Sequence, residues 1–414
     1  MQLRDYQQEI VTQGGAILND NKILYLSMEV RTGKTHTALA IAKDYKNVLF
    51  ITKKKAISSI KDDMFTAKHS FNLEVINYES VHKVSGDYDL IILDEAHRLG
   101  AFPKQPKTLR LIKKIAHLKP IIYLSGTPTP ESYSQIYHQL DVSTFSPFKQ
   151  WKSFYKWSHE FVNIKQMMIN GFSINDYKDA KRDKIDEHCK HLFISYTQGQ
   201  AGFVNRINET VLYIPMGDTV KSLIERLTKD GIVEGKEEVI LAETAVKMQN
   251  KIHQLSSGTI KFESGNTMVI DTAKAEFIKS HFKGEKIAIF YKFKAELEML
   301  QSVFNNLVYD VEDFKNIENS IFASQILSGR EGINLSNADS LIFINIDFSA
   351  TSYLQARDRL SSMSRTKENN VYWLFSHKGI EEKIYQTVQK KEDYTLSYFK
   401  KDYGVRKNIT TKNN

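Results

Sequence analysis

A single cysteine, Cys189, and seven prolines in 414 residues are what this chain has least of. A lone thiol excludes an intrachain disulfide framework and any zinc site built on paired cysteines, and it fits a reducing compartment. His188 and His191 beside it form the pattern of a polar helix face more than of a metal cluster. Also missing is any run approaching the roughly 18 apolar residues that would span a bilayer, so no membrane anchor is expected. The opening MQLRDYQQEI is charged from the outset, unlike an export signal. Together these absences set the expectation of a cytoplasmic protein. No period of solenoid length repeats, and no low-complexity tract occurs.

A strong excess of one charge is missing as well. Lys and Arg total 57 against 49 Asp and Glu, a formal +8 with a pI of about 9.0. That surplus suits a polyanionic partner without requiring one. At 414 residues the chain calls for two or three domains, and 41% hydrophobic with 26% charged residues is a globular composition.

What is present begins with MEVRTGKTHTALAIA, Met28 to Ala42. An apolar run, Ile23 to Leu26, leads into Gly33-Lys34-Thr35, and a helical pattern follows through Ala38, Leu39, Ile41 and Ala42. The first N–H groups of such a helix lack partners and its positive dipole end faces the loop, so a phosphate chain binds there readily. Lys34 would reach the outer phosphates and Thr35 would hold Mg²⁺. The usual first glycine of GxxxxGK[ST] is missing: Met28 stands in its place, and Arg31 lies inside the loop. Upstream, Gln7 carries an amide that can both donate to and accept from one edge of adenine.

The strand-then-helix grammar repeats. Val48 to Ile51 runs into Thr52-Lys53-Lys54-Lys55, where Lys53 and Lys54 are either solvated turn lysines or, at the end of a parallel sheet, phosphate contacts for a nucleic acid. Leu90 to Leu93 deliver Asp94-Glu95 to a strand's carboxyl end, where one carboxylate organises Mg²⁺ and its neighbour orients an attacking water. PIIYLSGTPTP repeats the pattern, and its Ser125-Gly126-Thr127 turn either senses a γ-phosphate or simply ends a strand. From 145 to 265 the character changes to an aromatic, basic and mostly helical stretch, read as a linker or insertion. Its Trp151, Phe154, Tyr155 and Trp157 stack bases or, more commonly, pack a helix onto its own core. A second strand-helix series starts at KIAIFYKFKAELEML and ends in a helix bearing Arg357, Arg359 and Arg365. The expected class is therefore α/β. Its layout is an N-terminal domain over 1–144, the insertion over 145–265, a C-terminal domain over 266–400 and a basic tail over 401–414.

In their order and spacing these motifs resemble the superfamily 2 helicases, and within them the Snf-type DNA translocases, over nearly the whole chain. DEAHRLG resembles the metal-binding motif of that group, SGTP its third, SGREGINL its glycine-rich fifth and QARDR the start of its sixth. HQLSSGT, His253 to Thr259, and the short length are similar to small helicases carried by bacteriophages, for which the compartment would be a bacterial host's cytoplasm. The resemblance implies two RecA-like parallel-sheet domains with ATP and Mg²⁺ in a cleft between them. It assigns adenine recognition to Gln7, nucleotide contacts to Gly33, Lys34, Thr35 and Gly332, metal binding to Thr35 and Asp94, and water activation to Glu95. His97 and Thr127 would couple the nucleotide to DNA, duplex or branched rather than RNA, and a monomer is expected. Arg359 matches the first arginine of the sixth motif, but Ser362 stands where the second is usual, which leaves Arg365 or Arg357 as substitutes.

The leading expectation is an ATP-dependent DNA helicase or translocase. One rival is the motor of a restriction system, for which Asp230, Glu234 and Lys236 make a poor D…ExK arrangement. The other is a nucleic-acid-binding protein with a decayed ATPase, suggested by Met28 and Ser362.

Overall fold

The computed structural model describes residues 3–67, 70–169, 172–202, 207–329, 333–360, 365 and 367–390, which belong to two compact units, 1–203 and 204–414. In the first unit six strands form one sheet: β1 Ile23–Met28, β2 Asn47–Thr52, β3 Asn72–Asn77, β4 Leu90–Asp94, β5 Ile121–Leu124 and β6 Phe193–Tyr196. Their order is β3-β2-β4-β5-β1-β6, and every neighbouring pair is parallel.

The inner strands are apolar almost throughout because helices cover both faces. Leu24 and Leu26 point to one side, where Ile10 and Leu18 of the helix Asp5–Asn21 and Leu39 of the helix Lys34–Ile41 pack on them. Ile23 and Tyr25 point to the other, against Leu109 and Ile112 of the helix Lys107–Ile115 and Trp157 and Phe161 of the helix Phe154–Phe161.

The second unit repeats the plan with β7 Ile207–Ile214, β8 Ile287–Tyr291, β9 Leu307–Val308, β10 Ile321–Gln325, β11 Ser340–Phe343 and β12 Asn369–Ser376. The order is β9-β10-β8-β11-β12-β7, again wholly parallel. The α/β class and the two RecA-like parallel-sheet units expected from the sequence are the architecture of the chain.

Residues 145–265 do not form a separate, mostly helical insertion. The chain divides at 203/204, β6 extends the first sheet and β7 the second, and three two-stranded hairpins lie within or across the stretch. One of them, Thr259–Lys261 with Thr267–Val269, spans the expected boundary at 265. The aromatic segment explains the difference. Phe148, Phe154, Trp157 and Phe161 are almost wholly buried in the first unit's core, because side chains that bury 150–250 Å² each are strongly driven to cover a bare sheet face. Of the two readings of this cluster the structure has the core: Trp151 Nε1 donates to Glu160 Oε2 at 2.8 Å, and Tyr155 alone of the four is well exposed. The tail 401–414 lies outside the described residues. No helix among the described residues is long and apolar enough to cross a membrane.

A buried ion pair braces the second unit. Lys274, on the helix Ala273–His281, meets Glu381, on the helix Ile380–Gln389, at 2.9 Å, and its ammonium also donates to the Ile344 carbonyl just past β11 at 2.8 Å. Removing one member strands the other charge in a dry interior, whereas replacing both does not. Glu381→Leu in the full chain is expected to cost about 3–5 kcal/mol in chemical unfolding, with most of it recovered in Lys274→Met/Glu381→Leu. Equal loss in the single and double variants would show that the pair is not the stabilising unit.

Candidate functional site

Because β2, β4, β5 and β1 are adjacent and parallel, the segments leaving their carboxyl ends meet at one edge of the sheet. From β1 comes the loop 29–33. Gly33 begins the helix Lys34–Ile41 with φ +82°, a conformation that glycine adopts without strain, and a Cβ there would lie 2.1 Å from Gln7 Nε2. Arg31 holds φ +63° without that freedom, an uncommon conformation for a residue with a Cβ. Lys34 Nζ turns into the loop and donates to the Met28 carbonyl at 2.7 Å and the Glu29 carbonyl at 3.1 Å. Thr35 follows in the first helical turn, half-buried.

Gln7 is nearly buried over this loop. Its Oε1 accepts from Arg4 N at 2.9 Å and its Nε2 donates to the Gly33 carbonyl at 3.4 Å. Together with Arg4, Arg31, Gly33 and His36 it lines a cavity of about 510 Å³ beside the phosphate loop, large enough for a purine ring.

The register of β2 on β4 pairs Ile51 with Leu93, so the next residues fall side by side, Thr52 by Asp94 and Lys53 by Glu95. Thr52 Oγ1 donates to Asp94 Oδ2 at 2.7 Å, and Lys53 Nζ lies 3.7 Å from Glu95 Oε1. Burial foremost, then the charge of Glu95, push the Asp94 carboxyl up to about 6 against the pull of Thr52, Lys34 and Lys53. Such an under-compensated acid is one that a divalent cation would relieve. Among the described residues no three His, Cys, Asp or Glu converge as a full cage. That fits Mg²⁺, which takes one or two protein oxygens and completes its shell with water and phosphate.

Glu95 itself sits at φ +50°, ψ +46°, a left-handed non-glycine residue of the strained kind found where a side chain must be aimed. His97 Nδ1 lies 3.4 Å from Glu95 Oε2 and 2.9 Å from Ser125 Oγ, which in turn accepts from Thr127 N at 3.1 Å. A Cβ on Gly126 would be 3.6 Å from Lys34 Nζ, so the Ser125–Thr127 turn lies against the phosphate loop. A set of polar contacts thus joins the β2 loop, the acid pair and the β5 turn, bringing together Lys53, Asp94, Glu95, His97 and Thr127, with Lys34 close to Gly126 of that turn. Lys54 stands apart from it, exposed on the same loop.

Three supports escaped the sequence reading. Tyr78 OH donates to the Asp94 carbonyl at 2.7 Å. Gln198, just after β6, donates through its backbone N to Glu29 Oε2 at 2.7 Å and through Nε2 to the Val30 carbonyl at 3.0 Å. Tyr196 stacks on Tyr6 at 4.6 Å between ring centroids. No local pattern signals them, since Gln198 and Val30 are 168 positions apart.

In the second unit the arginines separate. The helix expected to carry all three ends at Arg357, so Arg359 stands on the turn beyond it. Arg357 is committed to Glu209 at 3.2 Å and Asp358 at 3.1 Å. Arg365, expected as a possible catalytic residue, is instead a buried backbone clasp: its guanidinium donates to the carbonyls of Ser336, Ala338, Asp339 and Glu368 at 2.6–3.3 Å. Five donors in a fixed fork suit such a role. Gly332 and Ser362 lie outside the described residues. Glu234 and Lys236 are exposed on a short hairpin beyond Asp230, with no built site around them.

A family model described as the SNF2-related domain matches residues 30–280, more than half of the chain. The CHD3-type chromatin-remodeling factor PICKLE of Arabidopsis thaliana is 21% identical over 429 residues, covering 94% of this chain and 29% of its own length. The ISWI chromatin-remodeling complex ATPase ISW2 of Saccharomyces cerevisiae is 20% identical over 365 residues, covering 78% and 31%. This chain therefore spans about a third or less of the length of these relatives. A solved SWI2/SNF2 ATPase core from Sulfolobus solfataricus, in complex with dsDNA, is 17% identical with a TM-score of 0.43, over 97% of this chain and 92% of that one. With more than half of its length matched by the family model, the chain belongs to the SNF2-related domain family.

Proposed function

We propose that the chain is an ATPase that couples hydrolysis of Mg²⁺-ATP to movement along DNA. One observation carries this: Lys34, Asp94, Glu95, His97 and the Ser125–Thr127 turn come from three separate strand ends and meet in one connected site. Lys34 and the N–H groups opening its helix would hold the outer phosphates, and Gln7 with its cavity would take the adenine. Thr35 and Asp94 would hold the cation, whose positive charge offsets the charge on the phosphates. Glu95 would orient a water and take its proton as the oxygen bonds to the γ-phosphorus and the bond to the departing ADP oxygen breaks. Arg359 is assigned to the charge developing on the γ-phosphoryl oxygens, as the family resemblance implies.

Duplex or branched DNA as the track is supported by the exposed Lys54 beside the site, by the +8 net charge and by membership of the family. Strand separation is the finer part of the proposal, and the HQLSSGT segment supports placing the chain among small phage-borne helicases in a bacterial cytoplasm. A decayed ATPase is disfavoured by the connected acid pair, and a restriction motor by the unsupported Asp230, Glu234 and Lys236.

Lys34→Ala and Glu95→Gln should both abolish turnover, yet only Lys34→Ala should lose ATP affinity, because Lys34 grips phosphate while Glu95 acts on the water. Equal loss of affinity in both, read by equilibrium nucleotide binding, would refute these roles. Arg359→Ala should remove turnover, by about 10³-fold or more, with ATP binding largely kept. Arg365→Ala should instead lower the unfolding free energy by about 3 kcal/mol, since buried carbonyls lose their donors. A stable Arg365→Ala protein with slow turnover would return that arginine to the catalytic set.

A further inference from the structure

Three consecutive lysines leave β2, and the structure gives them two different settings. Lys54 and Lys55 are exposed, at the start of a short 3-10 turn. Lys53 precedes that turn in an extended conformation, φ −82° and ψ +146°, with its side chain largely covered and its ammonium 3.7 Å from Glu95 Oε1. β2 lies parallel to β4 with Ile51 paired to Leu93, which carries Lys53 and Glu95 to the same sheet edge. Glu95 is thus flanked on both oxygens, by Lys53 on Oε1 and by His97 on Oε2 at 3.4 Å.

A general base works only when its oxygen reaches the proton it is to accept. With its backbone held in the left-handed region, the Glu95 carboxylate can be re-aimed only by rotating its own side chain, and an ammonium on Oε1 opposes that rotation. The restraint is weak enough to be broken. Both partners are partly exposed, the separation exceeds hydrogen-bond length, and a pair of this kind is readily displaced by a competing anion. A phosphodiester settling on Lys54 and Lys55 would bring such an anion to the same loop, and an ammonium bound to phosphate makes a strong charge-assisted contact.

We propose that Lys53 restrains the Glu95 carboxylate until a nucleic-acid phosphate draws its ammonium away, so that DNA binding at the β2 loop releases the hydrolytic base; this rests on the ATPase reading given above. Lys53 is then a positioning residue. Its role differs from that of a simple DNA contact, because removing it raises one rate instead of lowering all of them.

The test is phosphate release by the full chain, as wild type, Lys53→Met and Lys53→Arg, each with Mg²⁺-ATP alone and with saturating duplex DNA. Methionine keeps the covered aliphatic stem and removes the charge. Lys53→Met is expected to raise the DNA-free rate about fivefold, the scale of a partly exposed ion pair, and to shrink the stimulation by DNA correspondingly. Lys53→Arg should restore the low DNA-free rate, showing that the charge on the covered stem is what restrains the base. A DNA-free rate in Lys53→Met at or below wild type, with stimulation unchanged, overturns the gate while leaving the ATPase reading intact. A wild type that releases no phosphate even with DNA overturns both.

Discussion

The constraint on which the site depends is the parallel alignment of β2, β4, β5 and β1. Parallel strands all end at the same edge, so four loops distant in sequence are delivered to one place without any contact between them being specified locally. Register then does finer work than proximity. Pairing Ile51 with Leu93 brings Thr52 to Asp94 and Lys53 to the edge where Glu95 stands, and a one-residue slip would break both contacts. The buried, nearly all-apolar strands make such a slip costly, so the chemistry of the site is held by the packing of the core beneath it.

Around that edge the polar groups form a connected set in place of isolated contacts. Asp94 is held by Thr52 at its carboxylate and by Tyr78 at its carbonyl, while Glu95 is aimed by a strained backbone and bounded by Lys53 and His97. His97 passes the arrangement on to Ser125, and Gly126 lays that turn against Lys34. Gln198, just beyond β6, holds Glu29 and Val30 of the phosphate loop from the outside, and Tyr196 stacks on Tyr6.

Much of this was legible in the sequence, for a definite reason. Gly33-Lys34-Thr35 and Asp94-Glu95 each follow a buried apolar run, so their place at strand ends could be read from local order alone, and the alternation of strand and helix fixed the class. The parts that could not be read depend on distant partners. Whether Trp157 stacks a base or fills a core is decided by a sheet face assembled from several strands, Ile23, Ile91 and Ile121 among its residues, and not by its own segment. Arg365, three residues past Ser362, stands as a substitute for the missing arginine on sequence alone, and only the convergence of four carbonyls shows it to be a clasp. The division at 203/204 was likewise hidden, because β6 and β7 are short on local signal and take their identity from the strands they join.

The claim that most needs testing is that hydrolysis at this edge drives movement on DNA. Displacement of a third strand from a DNA triplex reads that movement directly, without requiring the duplex to be opened. The account predicts displacement by the full chain that requires both ATP and Mg²⁺ and that fails without either. Phosphate released at a DNA-dependent rate with the third strand left in place would contradict it.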